Sequence, residues 1–369
     1  MTQIKDVIKI LNQLAPDNLA FEWDSVGMQV GDVNNNVKNI LVTLDVNEKV
    51  IEEALDKNCQ LILSHHPFIF KPLDKIINTG KGELIFKLIK NNISLFSMHT
   101  NLDIVSGGLN DYLADILKLN NVQLLKTIKE KKLNKLVVFI PENHLNEVRD
   151  ALLNNGAGFL GNYSHTSFIT KGSGSFKPLA GSKPFMGKEN KINVVEEYRF
   201  ETIIEEEKIG QIVAIMKDVH PYEEVAYDLY PLNNKSGYGL GRIGNLNREY
   251  NLADYLKIVK DKLNISQLKY VGELDKRIKR VAVCSGSGAD LISLSQKMGA
   301  DLYITADIKY HDAQFAETID IALLEAGHYQ SEIIVKNIFK EYLDKKMDNK
   351  SLDISILKSE INTDPWNYL

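Results

Sequence analysis

Short apolar runs and longer stretches of helical periodicity alternate along most of this 369-residue chain. Apolar residues from Ile4 to Leu14 recur at helical spacing, which predicts an amphipathic helix that ends before Pro16. Further on, apolar runs too short for a helix predict buried strands, with helical segments between them. This alternation is typical of a parallel α/β sheet, so we predict an α/β fold. The predicted strands that matter most cover residues 40–45, 60–64, 93–98, 281–288, 301–305 and 319–324.

The chain turns basic and polar at residues 126–132, which we interpret as a domain boundary. The segment that follows contains two β-α-β halves, a pattern that predicts an inserted ferredoxin-like α+β domain. We expect residues 1–127 and 234–369 to form the two halves of one α/β domain. Residues 128–233 are then the insert.

Composition narrows the classes of function. Hydrophobic residues make up 44% and charged residues 25% of the chain, as in a globular protein. The net charge is −5 and no basic stripe stands out, which argues against nucleic-acid binding. Cys59 and Cys284 lie far apart beside apolar runs, which excludes a disulfide framework and a cysteine-based zinc site. We expect both to be buried, reduced thiols.

The N-terminus lacks the basic region and apolar core of a signal peptide. No run of 18 apolar residues occurs, so no segment is expected to span a membrane. We therefore expect a cytoplasmic protein without a membrane partner.

Two adjacent histidines follow the strand at residues 60–64. Pro67 restricts His66 to extended geometry and ends the strand. Open α/β sheets bind their ligands at the carboxyl ends of strands, and His65 and His66 could each bind a metal there. The alternative is one histidine in the core and the other in a solvated loop.

Two further pairs follow buried strands in the same way. His99 and Asp103 come after the strand at 93–98, and His328 and Glu332 come after the strand at 319–324. The last two are four residues apart at a predicted helix start, so they share one helical face and could chelate an ion. A surface pair is the alternative explanation.

The stronger argument for a metal site is that all three pairs of residues are expected to meet at one place. If the strands are parallel, all six side chains meet at one edge of the sheet. Their imidazoles and carboxylates suffice for two divalent metal ions with positions left open for water. Mixed nitrogen and oxygen ligands suit Zn, Fe, Mn, Co or Ni rather than Ca or Mg alone. Two such ions would leave the site cationic and suited to a phosphate oxygen.

Two glycine-rich segments suggest other chemistry. Gly239 to Gly244 matches G-x-G-x-x-G, but no predicted strand precedes it and no packed helix follows. We interpret it as a hinge or a loop bordering a pocket rather than a dinucleotide site. Ser285 to Gly288 follows a strand and could cradle an anion or simply form a tight turn.

Several of these segments occur together in one order, and together they resemble the Nif-three-like family, the GTP cyclohydrolase 1 type 2 homologs. The resemblance covers nearly the whole chain outside the insert. The insert, with His220 to Glu224, resembles the signal-transducer-like and CutA-like trimerising domain of longer family members. The segments are Trp23-Asp24-Ser25-Val26-Gly27, Ser64-His65-His66-Pro67, His99-Thr100-Asn101-Leu102-Asp103, Gly239-Leu240-Gly241-Arg242-Ile243-Gly244, Asp307-Ile308-Lys309-Tyr310-His311 and Gly327-His328-Tyr329-Gln330-Ser331-Glu332.

The resemblance implies an α/β dinuclear-metal protein that assembles as a toroidal homohexamer. It places His99 in support of the ligands or in catalysis, and it makes Glu332 a bridging ligand. Ser25 and Ala306 depart from the family's usual Asn and Gly, and neither is a proposed ligand. The implied metal ligands are His65, His66, Asp103, His328 and Glu332.

The first functional hypothesis is a metal-dependent hydrolase that opens the GTP ring or cleaves a phosphoester. His99 or Asp103 would move protons, and Lys309 or Arg242 would meet an anionic or nucleotide-like substrate. The second hypothesis is a non-catalytic metal-storage or regulatory hexamer whose insert senses a ligand. A scaffold with core histidines is the third, and the ordered motifs argue against it.

Overall fold

The structure, a computed structural model, describes residues 2–161, 163–234, 237–350 and 352–367. The chain folds as two compact units. The first combines Met1–Ile128 with Tyr238–Leu369, and the second is Lys129–Gly237.

The N-terminal part of the first unit builds a sheet that also includes β15 (Ser355–Lys358) from the C-terminal part, in the strand order β1-β4-β3-β2-β15. Strands β4, β3, β2 and β15 run parallel, and β1 is antiparallel to β4. Apolar side chains fill β2 and β3 on both faces, as expected for a sheet covered on both sides. The elements are α1 (Ile4–Leu14), β1 (Gly27–Val30), β2 (Asn39–Thr43), α2 (Glu48–Asp56), β3 (Leu61–Ser64), α3 (Lys81–Lys90), β4 (Ser94–Ser97), α4 (Thr100–Ile104), α5 (Leu109–Ile116) and β5 (Asn120–Glu130).

Local sequence explains the helices of this part. One face of α1 is buried, through Ile4, Val7 and Leu11, as its periodicity predicts. Helix α2 starts where the Asn47 side chain accepts a hydrogen bond from the Val50 N–H, a standard N-cap. Both helices pack against the apolar side chains of β2 and β3, the strands that lead to the candidate site.

The second unit is an antiparallel sheet of order β7-β8-β6-β9 with two helices. Its apolar core lies between one sheet face and helices α6 and α7. Residues 171–176, rich in Gly and Ser, lie inside strand β7 and pair with β8. The elements are β6 (Leu133–Pro141), α6 (Leu145–Asn154), β7 (Ser167–Phe176), β8 (Asn193–Glu205), α7 (Ile209–Val219) and β9 (Tyr227–Leu232).

The C-terminal part of the first unit builds a second sheet, of order β11-β14-β13-β12-β10-β5. Strands β12, β13 and β14 are parallel, whereas β10 and β11 pair antiparallel to their neighbours β12 and β14. The elements are β10 (Gly237–Asn251), α8 (Leu252–Leu263), β11 (Lys269–Val271), β12 (Arg277–Ser287), α9 (Ile292–Lys297), β13 (Leu302–Ala306), α10 (Tyr310–Thr318), β14 (Ala322–Glu325), α11 (His328–Glu332), α12 (Val335–Lys350) and β15 (Ser355–Lys358).

Two expectations about these elements are wrong. The strands that precede the histidines belong to two sheets and not to one, because β3 and β4 lie in the first sheet and β14 in the second. Helices α11 and α12 replace the single helix expected after His328. Strand β5 continues to Glu130, through most of the basic segment at residues 126–132 that we interpret as a domain boundary.

The interpretation of Gly239 to Gly244 as a hinge or loop is also wrong, because this segment lies inside strand β10. A Cβ on Gly239 would lie 2.1 Å from the Lys126 carbonyl oxygen, and one on Gly244 would lie 2.9 Å from that of Asn120. The glycines therefore let strands β5 and β10 approach closely, and they do not bind a dinucleotide's phosphates.

Both cysteines are buried and free, as predicted. Within the part of the chain that the structure describes, every helix is too short or too polar to cross a bilayer.

Candidate metal centre

Four imidazoles and two carboxylates meet in the first unit. His65 and His66 follow β3, His99 follows β4, and His328 opens α11. The ring centroid of His66 lies 5.2 Å from that of His65, 5.5 Å from that of His99 and 5.4 Å from that of His328. His66 is therefore the centre of the cluster, and residues from both sheets surround it.

Each of the four imidazoles is held through its Nδ1 atom. Three of these atoms bond a carboxylate and one bonds a backbone carbonyl. Such partners fix the ring orientation of metal-binding histidines and leave Nε2 for the ion. The Nδ1 pairs are His65 with the Met98 carbonyl oxygen at 2.8 Å, His66 with Asp45 at 2.6 Å, His99 with Asp24 at 2.9 Å, and His328 with Asp307 at 2.8 Å.

The Glu332 carboxylate lies between the Nε2 atoms of two of these imidazoles. Its Oε2 atom lies 2.9 Å from Nε2 of His66 and 3.0 Å from Nε2 of His328. The carboxylate is 4% exposed, so its charge depends on these neighbours. Helix α11 brings His328 and Glu332 together at the four-residue spacing recognised in the sequence.

His65 and Asp103 face each other without a hydrogen bond. Nε2 of His65 and Oδ1 of Asp103 are buried, 3.6 Å apart, and have no partner among the described residues. A carbonyl can only accept, so Nδ1 of His65 carries the proton and Nε2 presents a lone pair. Two facing acceptors in a buried site call for a cation, and this geometry fits a metal ion.

The ligand atoms form two groups that share one residue. In the first group the ligand atoms of His65, His66 and His99 lie within 4.8 Å of one another, and in the second the same holds for those of His66, His328 and Glu332. Nitrogen-rich sites of this kind suit transition metals. The structure thus brings together every residue of the sequence-predicted set, with Asp103 placed beside His65.

Electrostatics distinguish the imidazoles. Burial lowers the pKa of His65 to about 3, so this ring is neutral. Burial also opposes the charged form of His66, but its hydrogen bonds to the Asp45 and Glu332 carboxylates outweigh this effect and raise its pKa to about 10. The same balance, with Glu332 and Asp307, raises the pKa of His328 to about 9. The carboxylates around His66 and His328 therefore favour the positively charged forms of these two rings.

The two carboxylates behave oppositely. Burial and the nearby Glu332 raise the pKa of Asp103 to about 7. Burial also disfavours the charge of Glu332, yet hydrogen bonds from His328 and His66 keep its pKa well below the ordinary value. For Asp103, nearby His99 and His66 only partly offset the rise in pKa, and none of the imidazoles donates a hydrogen bond to its Oδ1 atom.

Gly286 makes room for Glu332. Its φ is +57°, and a Cβ there would lie 2.1 Å from Oε1 of Glu332. Its N–H donates to the Ser331 hydroxyl at 3.0 Å. Residues 285–287 are the last residues of β12 and pack against α11 here, and Gly288 alone separates this strand from the helical turn that begins at Ala289. Of the two sequence interpretations, the tight strand-to-helix turn therefore describes the segment better than an anion cradle.

Asp24, Asp45 and Asp307 were not among the predicted site residues. Asp45 follows β2 at the carboxyl edge that also carries His65 and His66, so the strand-end rule could have identified it. Asp307 follows β13 in the same manner. No local rule identifies Asp24, which lies 75 residues before its partner His99.

Arg242 is wrongly assigned to substrate binding. It is 2% exposed, and its guanidinium bonds Asp111 and the carbonyl oxygen of Val105. It is therefore a core residue. Lys309 is exposed and precedes α10.

A cavity of about 900 Å³ opens beside the cluster. His66, His328 and Asp45 line it together with apolar side chains such as Ile265 and Leu268. Its size suits a small-molecule ligand.

The fold and the site define an α/β protein with several sheets and a histidine- and glutamate-rich group able to hold a metal ion. Residues 2–365 match the family described as Duf34/NIF3 (NGG1p interacting factor 3). The chain belongs to this family.

Relatives extend along the whole chain. A protein of Halalkalibacterium halodurans named GTP cyclohydrolase 1 type 2 homolog is 40% identical over 365 residues, covering 98% of both chains. A Bacillus subtilis protein of the same name is 39% identical over 368 residues, covering 99% of this chain and 98% of the relative. The crystal structure of a Bacillus cereus protein related to NIF3 superposes with a TM-score of 0.87 at 38% identity, covering 100% of this chain and 99% of that one.

Proposed function

We propose that the chain binds two divalent metal ions and acts as a metal-dependent hydrolase. His65, His66, Asp103, His328 and Glu332 are the proposed ligands. The observation that carries the proposal is the unbonded pair of buried acceptors, Nε2 of His65 and Oδ1 of Asp103. A second support is the sharing of Glu332 Oε2 between two imidazoles, which suits a bridging carboxylate.

Bound divalent ions would supply Lewis acidity and lower the pKa of water. The chain's own residues supply the rest. Asp24 accepts hydrogen bonds from His99 and from the N–H and hydroxyl of Thr100, which fix the ring of His99. Burial opposes the charge of Asp24, but these bonds outweigh it and lower its pKa to about 2. His99 is thereby positioned to move a proton at its Nε2 atom.

The proposed substrate is an anionic or nucleotide-like small molecule, opened at a ring or cleaved at a phosphoester. Support comes from the name that the H. halodurans and B. subtilis relatives bear. Asp45, Asp307, Glu325 and Asp364 line the cavity, and Lys269 is a cation there. An excess of carboxylates repels an anion, so binding of this substrate class depends on the metal ions.

The test is metal content per protomer of protein purified without added metal, followed by a hydrolysis screen with GTP and phosphoesters. About two ions, with turnover that stops on chelation and returns on reloading, support the proposal. Two ions without turnover on any substrate favour the metal-storage or regulatory function. A protein that binds no metal after reloading contradicts the site itself.

We also propose that residues 128–233 form a ferredoxin-like insert and that the protein assembles as a homohexamer. The antiparallel four-stranded sheet with two helices supports the first proposal. Exposed apolar side chains on β7 and β8, among them Phe168 and Val194, support assembly through this unit. Light scattering of the wild type and of Phe168→Ser with Val194→Ser tests it, and a monomeric wild type contradicts it.

A further inference from the structure

A second cavity, of about 450 Å³, lies wholly within the unit Lys129–Gly237. Phe139, which lines it, alternates along β6 with Val138 and Ile140 of the core and therefore lies on the sheet face opposite the helices. The volume suits a small organic molecule.

Aromatic rings surround this cavity. The ring of Tyr222 lies 6.5 Å from that of Phe176 and 6.1 Å from that of Phe185, at interplanar angles of 51° and 47°. Phe139 and Met186 complete the apolar lining. Rings inclined to one another in this way present several faces to one enclosed volume, the arrangement that aromatic cages use for ammonium groups.

One carboxylate lies in this aromatic lining. Glu197 is 9% exposed, and its Oε1 atom accepts a hydrogen bond from the Tyr222 hydroxyl at 2.8 Å. Among the described residues no cation pairs with Glu197, and its Oε2 atom has no hydrogen-bond partner. A Cβ on Gly174 would lie 2.2 Å from Oε2, so the glycine leaves the oxygen room. A buried carboxylate without a cation is costly and calls for a positive ligand.

The other charged residues that line the cavity are also mainly negative. Glu223 and Glu224 add two carboxylates, and Lys177 is an exposed cation at the edge. Glu223 accepts the backbone N–H of Lys183, which fixes the loop over the cavity. The net negative lining favours a cation over an anion or a neutral molecule.

We infer that this cavity binds a small organic cation that carries an ammonium group. The ammonium group lies against Oε2 of Glu197 and is surrounded by the rings of Phe176, Phe185 and Tyr222. The site is separate from the metal centre in sequence and chemistry, so it stands whether or not the protein is a hydrolase.

The test uses the full-length protein and two probes of equal shape, choline and its uncharged isostere 3,3-dimethylbutan-1-ol. We expect choline to bind in the range up to about 10 mM and the isostere at least about tenfold more weakly. Titration calorimetry measures both. Equal affinity for the two probes, or no binding of choline in that range, overturns the inference.

Variants locate the site. Glu197→Gln keeps the size of the side chain and removes its charge, so choline affinity falls about tenfold or more. Phe185→Leu changes a half-exposed ring that lies outside the apolar core of this unit, so we expect it to weaken choline binding severalfold while the fold remains intact. The control Glu196→Gln removes the neighbouring charge, which is exposed and pairs with Lys171, and leaves binding unchanged. Loss of binding in the control as great as in Glu197→Gln contradicts the assignment.

Discussion

Nδ1 of His66 lies 2.6 Å from Oδ1 of Asp45, so a carboxylate from the end of one strand orients an imidazole from the end of the next. The Thr363 hydroxyl donates to the other oxygen of Asp45 at 2.7 Å and holds it in place. The orientation of the central imidazole is thus set by a residue that is not itself a proposed ligand.

Asp45→Asn is expected to weaken metal binding by roughly 10–100-fold. The neutral amide orients the His66 ring less strongly than the charged carboxylate does. Chelator competition measures the dissociation constant. Asp261→Asn, an exposed carboxylate on α8, is the matched control and retains wild-type affinity. Wild-type affinity in Asp45→Asn would show that the pair is dispensable for metal binding.

Glu332→Ala is expected to lose more bound metal than His99→Ala. Glu332 contacts both His66 and His328, whereas His99 belongs to one of the two groups. Metal content per protomer after dialysis against a weak chelator measures the difference. Equal metal content in the two variants would argue against a bridging carboxylate.

Gly286→Ala is expected to lower metal affinity at a small cost in stability. The added methyl group would meet Oε1 of Glu332 at 2.1 Å, and the positive φ costs about 1 kcal/mol for a residue other than glycine. Metal affinity and the free energy of unfolding are measured on the same preparation. Gly299→Ala, where φ is +78° and the nearest atom to the added Cβ would lie 4.0 Å away, carries the same backbone cost and serves as the control. A loss of affinity in both variants would mean that backbone strain alone explains the effect.

Glu53 makes the stability of the first unit pH-dependent. Burial raises the energy of its charged form, but hydrogen bonds from Lys57, Ser359 and the N–H of Glu360 outweigh it and lower its pKa. Because the folded pKa lies below the unfolded one, the stabilisation is complete above the unfolded value, about 4.3, and disappears as the pH falls through the folded value.

Glu53→Gln is therefore expected to lower the free energy of unfolding at pH 7 by about 1–3 kcal/mol. The difference from wild type shrinks below about pH 4, where the wild-type carboxylate becomes protonated. Urea unfolding at both pH values measures it. Glu52→Gln, a half-exposed neighbour paired with Lys87, changes stability by less than about 1 kcal/mol. A pH-independent difference for Glu53→Gln would contradict the charge-based explanation.

Arg242→Ala is expected to destabilise the protein by about 3 kcal/mol or more, because it leaves Asp111 and several carbonyl groups without their donor. Thermal or urea unfolding measures the loss. Arg248→Ala, an exposed arginine over the Tyr250 ring, is the control and costs less than about 1 kcal/mol. A folded Arg242→Ala protein with reduced substrate binding alone would restore the substrate-contact interpretation.

Local rules predicted the parts of the site that are close in sequence. The adjacent pair His65 and His66 follows from an apolar run ended by Pro67, and His328 with Glu332 follows from helical spacing. The partners that hold the rings are distant, as Asp24 is from His99 or Asp45 from His66. Tertiary packing brings these pairs together, and no periodicity along one segment encodes it.

Glycine-rich strands limit prediction in a different way. Glycine has a low preference for strands, yet Gly239 lies in β10. The residue there is a glycine because the Lys126 carbonyl oxygen leaves no room for a side chain. The reason for the residue lies in the neighbouring strand, so the local pattern suggested a loop. The assignment of the histidine-bearing strands to two sheets was missed for a similar reason, since strand order depends on pairing between distant segments.

His66 and Glu332 are 266 residues apart along the chain. At about 5–20 residues per second, a ribosome makes His66 roughly 10–50 s before it makes Glu332. During that interval the nascent chain carries His65, His66 and His99 without the carboxylate that joins the second group of ligands. At the proposed metal site, secure retention of an ion is therefore expected only after nearly the whole chain has been synthesised, and an ion bound earlier would remain exchangeable with the cell's other ligands.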